Sequence, residues 1–143
     1  MVRMTGEEWK RFVLEKPRPA VAAVARPDGR PLATPVWIDL DGDQILFTTW
    51  HESGKGKGKA LRANPRVTLV VQDEDPPFSF VVIEGTVTIS DDPAEVRYWA
   101  GRLGGRYMGA DQTEAYAARN GIPGEVLVRV TPRRVVAERD VAA

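Results

Sequence analysis

Lys55, Lys57 and Lys59 alternate with Gly54, Gly56 and Gly58 inside the stretch 46–71, LFTTWHESGKGKGKALRANPRVTLVV. The stretch reads as a strand end, a loop, a short helix and a new strand. Ammonium groups at a helix start add full charges to the partial positive charge of its unpaired N–H groups. Glycines let the backbone approach a ligand closely. The chemistry such a combination does is capture of a phosphate or a similar anion. A solvated surface loop has the same composition, and the helix directly after it is what favours binding. The run is not a nucleotide P-loop, because Lys59 is followed by Ala60 and not by a magnesium-binding hydroxyl.

The other chemically capable residues are sparse. His51 is the single histidine and there is no cysteine, so zinc ligation, thiolate catalysis and disulfides are not expected. Asp73, Glu74 and Asp75 stand beside Pro76 and Pro77 and read as a solvated loop, not as an acid–base pair. Ser53 and Ser79 lack any nucleophile-elbow setting. Trp37 alternates out of phase with Val36, Ile38 and Leu40, so it should face away from the interior. An outward tryptophan fits a subunit interface or a flat ring ligand. Phe78 and Phe80, two residues apart, are expected on one strand face, where core packing competes with ligand contact.

These residues need a scaffold. Thr5 and Glu8 form a capping box ahead of Trp9, Phe12 and Val13, which recur at helical spacing. Strands are expected at 20–26, 31–40, 44–49, 66–72, 78–90 and 125–139, with turns at Asp28-Gly29 and Asp41-Gly42-Asp43. Gly85 marks a bulge or a sharp bend in the fifth strand, and Thr131-Pro132 a kink in the sixth. Helices are expected at 59–64, from Pro93 to the Gly104-Gly105 pair, and at 111–120. The expectation is a mainly β, α+β fold: a six-stranded antiparallel split barrel with short peripheral helices, one domain over 1–143.

Lys+Arg and Asp+Glu balance at 20 each in 143 residues, so the basic cluster is local and a nucleic-acid partner is not expected. The N-terminal MVRMTGEEWKRF has no signal-peptide core and no run approaches a membrane span, so a cytoplasmic protein is the default expectation.

Taken in order, the segments 29–37 (GRPLATPVW), 46–49 (LFTT), 57–67 (KGKALRANPRV), 78–86 (FSFVVIEGT) and 128–135 (VRVTPRRV) resemble the pyridoxamine 5′-phosphate oxidase-like superfamily of split-barrel flavin-binding proteins. The likeness is greatest to its short branch that uses the deazaflavin F420. The resemblance implies that Lys57 is the phosphate-binding lysine, Lys59 the basic residue after it, and Thr48 and Thr49 a strand end touching the phosphate or its linker. It implies that Pro35, Val36 and Trp37 line the ring system, and that Phe78 and Phe80 approach the cofactor held by the other subunit of a homodimer. Lys55 stands where the family has serine and Ala60 where it has asparagine, which makes this cofactor-binding loop more basic and poorer in side-chain hydrogen bonds. The longer C-terminal region of the true pyridoxamine phosphate oxidases has no counterpart here, so their activity is not expected.

The implied function is an F420-dependent oxidoreductase passing a hydride to a small conjugated organic acceptor. FMN is the alternative cofactor. A carrier that holds a flavin, or another anion such as haem propionates, is the non-enzymatic alternative. No catalytic residue is selected, although Tyr107, Tyr116 and His51 are conceivable proton donors.

Overall fold

The computed structural model describes residues 1–51 and 56–143, and Lys55 lies outside the described residues. Eight strands form one antiparallel sheet: β1 (Val2–Arg3), β2 (Ala20–Ala25), β3 (Pro31–Val36), β4 (Asp39–Asp41), β5 (Gln44–Trp50), β6 (Arg66–Asp73), β7 (Ser79–Ser90) and β8 (Glu125–Arg139). The hydrogen-bonded order is β3-β2-β6-β7-β8-β5-β4, with β1 added to β8. Among the described residues four α-helices accompany it, α1 (Gly6–Glu15), α2 (Gly56–Ala63), α3 (Pro93–Met108) and α4 (Thr113–Asn120), with a 3-10 turn at Ala110–Gln112.

The six expected strands become eight for two local reasons. Val2 and Arg3 pair with Arg139 and Glu138, a match too short to leave a periodic signal. The expected strand at 31–40 breaks at Trp37 and Ile38, where the Ile38 amide leaves the ladder and donates to the Tyr107 hydroxyl at 3.1 Å. The sheet curls without closing, since β3 and β4 are its two ends.

Alternation decides what the sheet encloses. Ala20, Ala22 and Val24 of β2, Leu69 and Val71 of β6, Val81 and Ile83 of β7, Ile45 and Phe47 of β5, and Val128 and Val130 of β8 all point into one core. Trp9, Phe12 and Val13 of α1 enter it from one side and Ala60 and Leu61 of α2 from another. Leu46 and Leu127 point the other way and meet Val96 and Trp99 of α3, which lies on the outer face of β5 and β8. The Gly85 bulge is present: the β7–β8 register shifts between Glu84 and Gly85. A Cβ there would stand 2.5 Å from Val130.

The capping box of α1 forms as expected, with Thr5 and Glu8 each accepting from the other's amide. Its other end is finished from outside the helix. Arg106 of α3 donates to the carbonyl oxygens of Val13 at 2.7 Å and Lys16 at 3.1 Å. The helix α3 does not stop at Gly104-Gly105, because those glycines are where α4 comes closest. A Cβ on Gly104 would lie 2.1 Å from the Cβ of Tyr116, and one on Gly101 3.1 Å from that of Ala117.

Candidate functional site

The site is built where β5 ends, α2 begins and α3 crosses. Helix α2 starts at Gly56, whose φ of +78° suits glycine, and runs eight residues. Gly58 lets it press onto the strand: a Cβ there would be 2.9 Å from the Trp50 carbonyl oxygen. That contact carries Lys57 inward. Lys57 is half-buried, and its Nζ donates to Thr34 Oγ1 on β3 at 2.6 Å. Burial pulls its ammonium pKa below the usual lysine range, against the opposing pull of the Glu125 carboxylate. Among the described residues its counter-charge is the Glu125 carboxylate in the same wall, and an anionic ligand would add a second.

A cavity of about 540 Å³ opens beside it. Its wall includes Pro35, Val36, Trp37, Thr48, Thr49 and Lys57, six of the sequence-predicted binding residues, brought together from β3, β5 and α2. Ala100 and Leu103 of α3 supply apolar surface, and Trp50, Asn120 and Glu125 complete it with Pro19. Volume and lining suit a flat ring with a polar tail.

Trp37 leaves the interior, as its alternation requires, but what it meets is this chain's own helices. It stacks on Tyr107 with centroids 5.2 Å apart and meets the edge of Tyr116 at 5.6 Å. The Tyr107 hydroxyl donates to the Arg18 carbonyl oxygen at 2.7 Å while accepting from Ile38, and burial holds its pKa above the usual phenol range. Its proton is thereby committed to structure, which removes it as a donor to a substrate.

The remaining predicted residues lie elsewhere. Lys59 is exposed and Ala60 buried, and both border a separate cavity of about 480 Å³ with Arg26 and Arg30. Phe78 and Phe80 do not share a strand face. β7 begins only at Ser79, and Phe78 sits before it at φ +68°, exposed, with its carbonyl accepting from Val141 at 2.8 Å. Phe80 is on the ladder, opposite Gln72 and Glu138.

Sequence reasoning missed Glu125. It stands at the first position of β8, half-buried, in the wall that also holds Lys57. Burial raises its carboxyl pKa, while a hydrogen bond from Thr48 and the Lys57 charge offset part of that rise. The only trace in the sequence is the Pro123-Gly124 turn before it, which reads as a surface connection. Among the described residues no group of three or more histidine, cysteine or acidic side chains could hold a metal ion. No described helix is long and apolar enough to cross a membrane.

Comparison with known proteins identifies the family and the fold. Residues 5–138 match the family described as pyridoxamine 5′-phosphate oxidase. A pyridoxine/pyridoxamine 5′-phosphate oxidase of Rubrobacter xylanophilus is 32% identical over 133 residues, covering 93% of this chain. The chain spans 58% of the length of that relative. An F420 reductase superposes with a TM-score of 0.70 at 29% identity, covering 87% of this chain and 94% of that one. A conserved hypothetical protein of Mycobacterium tuberculosis superposes with a TM-score of 0.82 at 26% identity, covering 96% and 86%. On the family match over nearly its whole length, the chain belongs to the pyridoxamine 5′-phosphate oxidase family.

Proposed function

We propose that this protein is an oxidoreductase that holds F420 in the 540 Å³ cavity and reduces a small conjugated organic acceptor there. The observation that carries the reading is Lys57. A half-buried ammonium, donating to the Thr34 hydroxyl and with the Glu125 carboxylate in the same wall, lines the same cavity as Trp37. A phosphate-bearing tail and a tricyclic ring need those two features side by side. The similarity to a protein named F420 reductase, at 29% identity, favours the deazaflavin over FMN.

The chain's part in the chemistry is binding, orientation and exclusion of water. Lys57, with Thr34 and the first amides of α2, would hold the phosphate. Trp37, buttressed by Tyr107 and Tyr116, with Pro35 and Val36, would lie along the ring. When bound, F420 supplies a hydride, and the protein need supply no nucleophile.

The reading includes a homodimer. Pro35, Val21, Val70, Val82 and Val136 are direct cross-strand neighbours on β3, β2, β6, β7 and β8, and all five point out of the core. This apolar row is roughly 19 Å wide, four inter-strand spacings. It begins at Pro35, which is also a wall of the cavity. A second copy seated on the row would border the cavity at Pro35, and Phe80, beside Val82 on the same face, would lie in the same contact.

The test is a fluorescence titration of the purified protein with F420 and FMN in parallel, followed by turnover of the reduced cofactor with enones and quinones. The expected outcome is saturable binding of F420 and its oxidation by at least one acceptor. Saturable binding of FMN alone would move the protein to the flavin reading. Binding of F420 without turnover on any acceptor would make it a carrier.

A further inference from the structure

Two ionisable side chains line the cavity, Lys57 and Glu125; the rest of its described wall is aromatic, aliphatic, hydroxyl or amide. Reducing a conjugated double bond adds a hydride to one atom and a proton to the atom next to it. The proton needs a source that faces the acceptor. The Tyr107 proton is committed to Arg18. Tyr116 packs its edge on Trp37 and is not in the cavity wall. His51 borders a different cavity. Lys57 is engaged by Thr34 and is the residue an anionic tail would occupy.

Among the described residues Glu125 alone remains, and its position suits the task. It sits in the wall between two cavities, the one described above and a smaller one of about 310 Å³. On the first side it faces Lys57 from α2 and the Thr48 hydroxyl from β5. On the second it shares a wall with His51 after β5, Arg62 of α2 and Asp91 before α3. We propose that Glu125 is the acid of the reaction, giving its carboxyl proton to the acceptor atom adjacent to the one that receives the hydride.

This inference rests on the oxidoreductase reading above, with reduced F420 as the two-electron reductant. For an enone, the C=C π bond is lost, a C–H bond forms at the β carbon with the hydride, and a second C–H bond forms at the α carbon with the Glu125 proton. The Glu125 O–H bond breaks, leaving a carboxylate beside Lys57. Water, reaching it from the His51 and Asp91 side, returns the proton. Burial works in the same direction, because it keeps the carboxyl protonated at a higher pH than a surface glutamate.

The experiment is Glu125→Gln, which keeps shape and hydrogen bonding but carries no transferable proton. Carbon-13 NMR of carboxyl-labelled glutamate in the protein without cofactor should show one resonance titrating above the ordinary glutamate range, absent from E125Q. In single-turnover oxidation of reduced F420 by cyclohexenone, E125Q should lose about 10²-fold or more in rate. It should also lose the alkaline limb of the pH profile, while F420 affinity stays within about threefold or tightens. A Glu125 resonance in the ordinary range, or a variant with wild-type rate and pH profile, overturns the proposal and leaves the binding reading standing. Failure of the wild-type protein to bind F420 overturns both, and the binding titration alone reveals it.

Discussion

Trp37 lies flat on Tyr107, with ring centroids 5.2 Å apart and planes 8° from parallel. The relationship joins the strand edge that lines the cavity to the helix that covers it. Three anchors hold it: the Tyr107 hydroxyl bonds to Ile38 and to Arg18, Tyr116 packs against the indole at 60°, and Arg106 ties the same helix turn to the end of α1. A rigid aromatic wall is what a flat ligand needs, and side chains scattered over the sequence build it.

Tyr107→Phe tests the anchor. The stacked ring stays, but the Ile38 amide, in a fully buried residue, loses its acceptor, and the Arg18 carbonyl loses a donor. The expected cost is about 1–3 kcal/mol of folding free energy, read from urea unfolding of the two proteins. A change below about 0.5 kcal/mol would mean that water replaces the hydroxyl and the anchor is dispensable.

Gly104→Ala tests how α3 meets α4. The added methyl would fall 2.1 Å from the Cβ of Tyr116, so α4 must shift, taking its edge contact with Trp37 along. Overpacking of this kind costs about 1–3 kcal/mol. The expected signature is a lowered unfolding midpoint with changed Trp37 environment in near-ultraviolet circular dichroism. An unaltered midpoint would show that the helices have slack at this contact.

These two positions also show what the sequence discloses. The capping box at Thr5 and Glu8, the Gly85 bulge and the alternation of the buried valines are local signals, and local signals were legible. Gly104-Gly105 misled, because a glycine pair that ends a helix and one that admits a neighbouring helix look alike until the neighbour is placed. The break at Trp37 and Ile38 was hidden for the same reason: its cause, Tyr107, is 69 residues away. Of the residues expected from the family pattern to bind a cofactor, Lys57 and those at 35–37 and 48–49 border one cavity. Glu125 was not legible, since a carboxylate opening a strand after Pro-Gly reads as surface until burial is seen.

Val82→Asp tests the apolar row. Val82 is flanked directly by Val70 and Val136, and a charge there would face a second copy across the contact. The wild-type chain is expected to sediment as a dimer and the variant as a folded monomer with weakened cofactor binding. A wild-type monomer at micromolar concentration would contradict the dimer reading.

Lys57→Met should leave the fold intact and raise its stability at neutral pH. Burial lowers the Lys57 pKa, so the unfolded chain holds this proton more tightly than the native one. Relative to the variant, wild-type stability should therefore rise with pH between the lowered native value and the ordinary lysine value. Paired urea titrations across the alkaline range measure it. A difference that stays flat as pH falls would place the ammonium in full contact with solvent, and one that shrinks would mean the fold stabilises the ammonium; either contradicts the burial of Lys57.

The central claim is that Lys57 holds the anionic tail of a bound deazaflavin, and one comparison tests it most directly. The F420 dissociation constant is measured by fluorescence for the wild type and for Lys57→Ala in the same buffer and salt. Loss of a charge-assisted hydrogen bond predicts a weakening of about 1.5–3 kcal/mol, roughly 10- to 150-fold, with the salt dependence of binding also reduced. Equal affinity in the two proteins would contradict the assignment of this cavity as the cofactor site.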